Sequence, residues 1–150
     1  MTAPMGGVRK VYLSLGSNQG DRQKYLSEAQ AMLEDAFGTP CSAVSSVVES
    51  ESWGFEGGDF LNRAVCFDTA LGAREILGIC KDIERRLGRR ENIEYDASGR
   101  RIYHDRPIDI DILLCGDEKI DEPGLVVPHP MMHMRDFIMR PLLEILPEKH

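Results

Sequence analysis

The sequence predicts an α+β fold, a sheet with helices packed against one of its faces, and three observations predict it. Two stretches carry apolar residues at helical spacing: Leu26, Ala29, Leu33 and Phe37 in one, and Ala73, Ile76, Leu77, Cys80, Ile83 and Leu87 in the other. Other runs alternate with the period of two of a half-buried strand, such as Val11, Leu13 and Leu15 against Tyr12 and Ser14. The chain is 150 residues long with no internal repeat, low-complexity tract or linker, so these elements belong to a single domain, 1–150, with one core of ordinary size.

Taken in order, "KVYLSLG" forms the first strand and stops at Gly16. Asn18 or Asp21 caps the first helix and Gly38 ends it. "SAVSSVVES" and "DFLNRAVCFDT" are the next two strands, joined by the glycine-rich "WGFEGG", and the second helix follows and ends at Gly88. An arginine-rich loop leads to "RPIDIDILL", the last strand of the sheet. "GDEKI" at 116–120 is expected to form an edge hairpin, followed by "VPHP" and a short helical tail from about Met131 to Leu146. Strand, helix, strand, strand, helix, strand is the ferredoxin-like split βαβ plan. The prediction is therefore a ferredoxin-like βαββαβ sandwich with an extra C-terminal hairpin and short helices, whose helix-free face can hold a site.

Composition narrows what that site can take. A net charge of -7 argues against a general nucleic-acid binder, whose affinity comes from excess Lys and Arg. Yet Arg85, Arg86, Arg89, Arg90, Arg100, Arg101 and Arg106 crowd a short part of the chain, which suits a local anion site as well as a solvated helix end. No stretch approaches the apolar run of about 20 residues that a membrane span needs. Cys41, Cys66, Cys80 and Cys115 show no metal-finger spacing, and "MTAPMGGVRK" lacks the apolar segment of a secretory signal. Reduced thiols, a cytoplasmic location and a monomer without membrane or nucleic-acid partners are expected.

In "RPIDIDILL", Ile108, Ile110 and Ile112 fall on one face of the strand and Asp109 and Asp111 on the other. Two residues of rise put the carboxylates roughly 6 to 7 Å apart, and at an effective dielectric near 20 their repulsion costs about 2 kcal/mol. A cation belongs between them. Neighbouring arginines on a polar strand face would serve, and so would Mg²⁺, which takes one or two protein carboxylates plus substrate phosphates. No G-x-x-x-x-G-K-[ST] occurs, so any phosphate is held by other means.

Five segments, "GSN" at 16–18, "SESWG" at 50–54, "DFLNRAV" at 59–65, "RPIDIDILL" at 106–114 and "VPHPMMHMRDFIMRPLLEI" at 127–145, resemble in order and spacing the 6-hydroxymethyl-7,8-dihydropterin pyrophosphokinase family of folate biosynthesis. The similarity covers nearly the whole chain. It implies transfer of the β,γ-diphosphate of ATP to the hydroxymethyl group of a reduced pterin, with release of AMP and with two Mg²⁺ on Asp109 and Asp111. The same resemblance makes Arg89 and Arg106 phosphate-directed catalytic arginines. It gives the nucleotide Lys81, Glu84, Ile112, His129 and Arg135 as well. For the pterin it implies Phe60 and Phe137 as the two rings of a sandwich, Asn62 as the amide that meets the pterin edge, and Ser50, Trp53 and Tyr103 around them. Ser52 and Glu91 depart from the residues common there, and the loop from Arg90 to Tyr103 is several residues longer than usual. Two other readings use the same features: a ferredoxin-like RNA- or ligand-binding module, and a Mg-dependent nucleotidyl transferase, which would release pyrophosphate instead of AMP.

Overall fold

The computed structural model describes residues 7–18, 20–50, 60–88, 94–95, 97–98, 101–102 and 107–147. The first strand, β1 (Arg9–Ser17), runs one residue beyond the predicted stop at Gly16. The first helix, α1 (Arg22–Phe37), is capped by Asp21, whose carboxylate accepts the Lys24 N–H at 3.2 Å. Asn18, the other candidate, does not cap it: it is buried, and among the described residues its amide has no hydrogen-bond partner. Gly38 closes the helix in the left-handed conformation (φ 73°), its N–H returning to the Glu34 carbonyl at 2.9 Å.

The predicted second strand, residues 42–50, is two pieces, β2 (Ala43–Val44) and β3 (Val48–Ser50). Both pair antiparallel with β4 (Phe60–Thr69), Val44 opposite Val65 and Val48 opposite Asn62. Four steps on one strand thus face three on the other, leaving one extra residue in a bulge. Ser45 causes the interruption. Its N–H donates to the Ala64 carbonyl and its hydroxyl accepts the Ala64 N–H, both at 2.9 Å, so a side chain does what the next strand carbonyl would do.

Then come α2 (Ala73–Gly88), a small hairpin of β5 (Glu94–Tyr95) and β6 (Arg101–Ile102), and the aspartate strand β7 (Asp109–Cys115). The main sheet runs β2-β4-β1-β7, with β3 also on β4 and every pairing antiparallel. With β2 and β3 counted as one interrupted strand, this is the strand order of the ferredoxin-like plan. A C-terminal hairpin is present but lies later than the predicted 116–120, as β8 (Ile120–Glu122) and β9 (Leu125–Val127), forming its own two-stranded sheet. The helical tail divides into a 3₁₀ turn at Met132–Met134 and α3 (Asp136–Ile145).

Alternation sorts the side chains into two cores. Val11, Leu13, Leu15, Val65, Phe67, Ile108, Ile110 and Ile112 bury against Leu26, Leu33, Ile76, Ile83 and Leu87 of α1 and α2. On the opposite face Tyr12, Cys66 and Leu113 pack under Met132, Ile138 and Leu142, so α3 covers half of the face that the two larger helices leave open. Among the described residues no helix is long and apolar enough to cross a membrane.

Candidate active site

The uncovered half of that face is a cavity of about 880 Å³. Its floor is a patch of the sheet read through the register. Asp111 of β7 lies beside Ser14 of β1; Asp109 lies beside Gly16, and Gly16 beside Asn62 of β4. Asn62 is opposite Val48, and Phe60 is opposite Ser50. Met134, Arg135, Asp136, Phe137, Ile138 and Arg140 supply the far wall from the turn into α3 and its first turns.

Because neighbouring strands lie about 4.8 Å apart, the β7 backbone at Asp109 stands about 10 Å from that of Asn62, with β1 between them. At that crossing β1 carries Gly16. A Cβ there would lie 2.7 Å from the Asn62 Oδ1, well inside contact distance, so only glycine lets the amide sit where it does. The missing side chain also leaves the path from the Asn62 side to Asp109 without a wall. Asn62 is buried and donates from Nδ2 to the Ser50 hydroxyl at 3.4 Å.

Over the floor, the Phe60 and Phe137 rings face each other, tilted by 13° with centroids 6.5 Å apart. Carbon atoms in contact sit about 3.5 Å apart, so a flat ring between two others needs about 7 Å. The centroid distance is close to that figure and the planes are nearly parallel, so the pair offers its faces to one planar heterocycle. The Arg135 guanidinium lies 5.9 Å from the Phe137 ring centre, on the same wall.

The expected site residues thus divide. The structure brings together Ser50, Phe60, Asn62, Asp109, Asp111, Arg135 and Phe137 around one cavity. Trp53, Arg89, Tyr103 and Arg106 lie outside the described residues. Ile112 is packed in the α1/α2 core, and Lys81 is an exposed partner of Glu84 at 3.8 Å. Glu84 itself is buried on α2 and accepts the backbone N–H of Ile110 at 2.7 Å, which ties the helix to the aspartate strand. His129 follows β9 and does not line the cavity. Its Nδ1 accepts the Met131 N–H at 3.2 Å, so the neutral ring carries its proton on Nε2, leaving that atom a donor. Of the arginine cluster, Arg85 and Arg86 are engaged by Asp82 on the helix surface at 2.7 and 3.4 Å.

Ser14, Gly16 and Arg140 belong to the site although sequence reasoning gave none of them a role. Ser14 was visible in principle, since it alternates onto the aspartate face. Arg140 was visible only once the pitch of α3 is fixed, three residues after Phe137.

The donor set fits a hard divalent ion better than a soft one. Asp109 and Asp111 offer carboxylate oxygens, the donors a hard ion takes, and a pair of carboxylates is a usual protein share of a Mg²⁺ shell completed by substrate oxygens. Thiol chemistry is disfavoured. Burial pushes Cys41 and Cys80 up to about 12 and Cys115 up to about 11, so these three stay protonated at neutral pH.

A family profile described as 7,8-dihydro-6-hydroxymethylpterin-pyrophosphokinase matches residues 12–147. Three curated proteins named 2-amino-4-hydroxy-6-hydroxymethyldihydropteridine pyrophosphokinase are similar along most of their length. The one from Porphyromonas gingivalis is 46% identical over 142 residues, 93% of this chain and 92% of the relative. That from Aquifex aeolicus is 44% identical over 138 residues, 91% of this chain and 80% of its own. That from Bacillus subtilis is 39% identical over 135 residues, 89% and 76% respectively.

Proposed function

The chain belongs to the 7,8-dihydro-6-hydroxymethylpterin-pyrophosphokinase family, and from that premise we propose how its residues divide the reaction. The enzyme transfers the pyrophosphoryl group of ATP to hydroxymethyldihydropterin, a step of folate biosynthesis. The new bond joins the hydroxymethyl oxygen to the β-phosphorus; the bond from that phosphorus to the α-phosphate oxygen breaks, and AMP leaves.

The observation that carries the assignment is the Phe60–Phe137 pair, 6.5 Å apart and nearly parallel, with Asn62 on the same strand as Phe60. A reduced pterin is flat, and its edge needs donors and acceptors at once. The two rings take its faces, and the Asn62 amide, which both donates and accepts, takes its edge. Ser50 holds that amide through the Nδ2 bond. Seated there, the pterin directs its hydroxymethyl arm across Gly16 toward Asp109 and Asp111. Orientation of this kind accounts for most of the rate, because the substrate hydroxyl is itself the nucleophile.

Asp109 and Asp111 are the proposed ligands of the divalent ions that accompany ATP, two Mg²⁺ by analogy with the family. Bound there, Mg²⁺ supplies the positive charge that the developing phosphate oxygens require. Arg135 adds a bidentate cation on the far wall, and His129, a donor at Nε2, is suited to a phosphate oxygen. Arg89 and Arg106 are proposed as further phosphate-directed cations. Glu84 is given a supporting role: through the Ile110 amide it fixes β7 between the two aspartates.

One assay tests the reading. The protein is incubated with ATP, Mg²⁺ and 6-hydroxymethyl-7,8-dihydropterin, and the nucleotide product is identified. Stoichiometric AMP and pterin diphosphate are expected. Release of free pyrophosphate with a nucleotidylated pterin would replace the proposal by nucleotidyl transfer.

A further inference from the structure

Glu144 lies seven residues after Phe137 on α3. Seven residues are close to two turns, so both side chains leave the same face of the helix about 10 Å apart along its axis. The Glu144 carboxylate is bidentate on one residue, Ser46: Oε1 accepts its backbone N–H at 2.9 Å and Oε2 its hydroxyl at 2.7 Å. Those bonds hold the carboxyl below the usual range, so it is ionised at neutral pH.

Ser46 is a fixed point on the sheet. It sits in the bulge between β2 and β3, where its neighbour Ser45 makes two bonds to Ala64 of β4 and donates its hydroxyl to the Ser46 carbonyl at 2.7 Å. Arg63 adds a bond to the Ser45 carbonyl at 3.1 Å. Two and four residues back along the same β4 are Asn62 and Phe60, the floor of the proposed pterin slot. One end of α3 therefore carries the upper ring of the slot, and the other is pinned to the β2–β3 bulge, which Ser45 bonds to the strand that carries the lower one.

The apolar contacts of α3 do not replace this pin. Ile138 and Leu142 press the helix onto Tyr12, Cys66 and Leu113, with Phe137, Met139 and Ile145 packed against the same cluster, which fixes its height; such packing is non-directional, and the Glu144 contact adds a directional bond at the far end. A roll of a few degrees moves Phe137 by tenths of an ångström, the scale that separates the observed 6.5 Å from the spacing a flat guest needs.

We propose that the Glu144–Ser46 contact is a positioning latch that sets the distance and angle of Phe137 over Phe60, and so determines pterin affinity without touching the pterin. The proposal rests on the pterin slot described above.

The test measures the affinity of 6-hydroxymethylpterin in the presence of Mg²⁺ and a non-hydrolysable ATP analogue, alongside the affinity of the analogue alone. Absence of pterin binding by the parent protein would refute the slot, separately from the latch. Given binding by the parent, Glu144→Ala is expected to weaken the pterin about three- to tenfold and leave nucleotide affinity unchanged. Glu144→Gln, which keeps an acceptor oxygen, should recover part of the loss. In a Phe137→Ala background the effect of Glu144→Ala should vanish, because the latch no longer has a ring to place. Should Glu144→Ala fail to fold, Ser46→Ala, which removes one of the two bonds, carries the same comparison. Unchanged pterin affinity, an equal loss for both ligands, or a loss undiminished without Phe137 would overturn the latch.

Discussion

Replacing Gly16 by alanine should weaken the pterin while sparing both the fold and the nucleotide. The added Cβ would lie 2.7 Å from Asn62 Oδ1, whereas ordinary contact begins at 3.4 Å, so something must move by 0.7 Å (3.4 − 2.7). Asn62 is 3% exposed and already bonded to Ser50 at 3.4 Å, which leaves the amide little room except toward the slot. Overpacking of this size costs about 1 to 3 kcal/mol, partly offset by about 0.4 to 1 kcal/mol from stiffening the unfolded chain. The backbone itself is no obstacle, since Gly16 is not among the positive-φ glycines. Stability should thus fall by no more than about 2.6 kcal/mol (3 − 0.4), whereas an amide displaced from the pterin edge should raise the pterin dissociation constant about 5- to 150-fold. Calorimetric titration of a non-hydrolysable ATP analogue, then of the pterin into that complex, separates the two. A double variant with Asn62→Ala sharpens the result: with the amide gone the new methyl meets only Phe60 at 3.9 Å, and Gly16→Ala should then cost nothing further. A pterin constant within twofold of the parent, or a parallel loss for nucleotide, would refute the reasoning.

Asp109→Asn and Asp111→Asn should each lower turnover by about a hundredfold or more. Without metal both variants should be as stable as the parent or more so, because a repulsion of about 2 kcal/mol is relieved. Mg²⁺ with an ATP analogue should then raise the thermal midpoint of the parent far more than theirs, and equal shifts with turnover intact would remove the metal assignment. Phe60→Ala should weaken pterin binding by about 1 to 3 kcal/mol and leave the nucleotide alone; equal losses would identify Phe60 as core. The raised thiols make a pH prediction. An unfolded cysteine loses its proton near 9, whereas Cys41, Cys80 and Cys115 hold theirs to about 12, 12 and 11, so the native state binds more protons in that window. Their contribution is present below pH 9 and declines as pH rises toward 12. Denaturant midpoints that stay level from pH 8.5 to 10.5, together with rapid thiol labelling of the folded protein, would contradict it.

The β7 alternation was the most legible feature of the sequence, because a strand with one buried face writes its two sides into every second residue. Ile108, Ile110 and Ile112 went to the core and Asp109 and Asp111 to the cavity, as that period requires. Both long helices were equally readable from their stripes. What escaped was anything decided by a partner far along the chain. Residues 42–50 read as one strand, since nothing local reveals that the Ser45 hydroxyl will take the Ala64 amide. Gly16 read as a strand end, because its reason is an Asn62 side chain across the ladder. For Glu84 the resemblance implied a nucleotide contact, and its bond to the Ile110 amide, 26 residues away, was not legible. The resemblance supplied the roles of Phe60, Asn62 and Phe137, but it carried no information about the Ser46 contact that holds α3.

β7 is the border strand of the main sheet, and a border strand ordinarily offers its outward peptide groups to any extended chain that meets it. In this protein two of those groups are spoken for. The carboxylate of Glu84 occupies the Ile110 N–H at 2.7 Å, and the backbone N–H of His129 occupies the Leu113 carbonyl at 3.0 Å. A foreign strand docking there would have to displace a buried, charge-assisted bond and pull the β9 end away before its own ladder could start. The contact that keeps the aspartates in register is thus also a safeguard against edge-to-edge polymerisation, and a Glu84→Ala protein should show its loss as aggregation on storage as well as in lowered turnover.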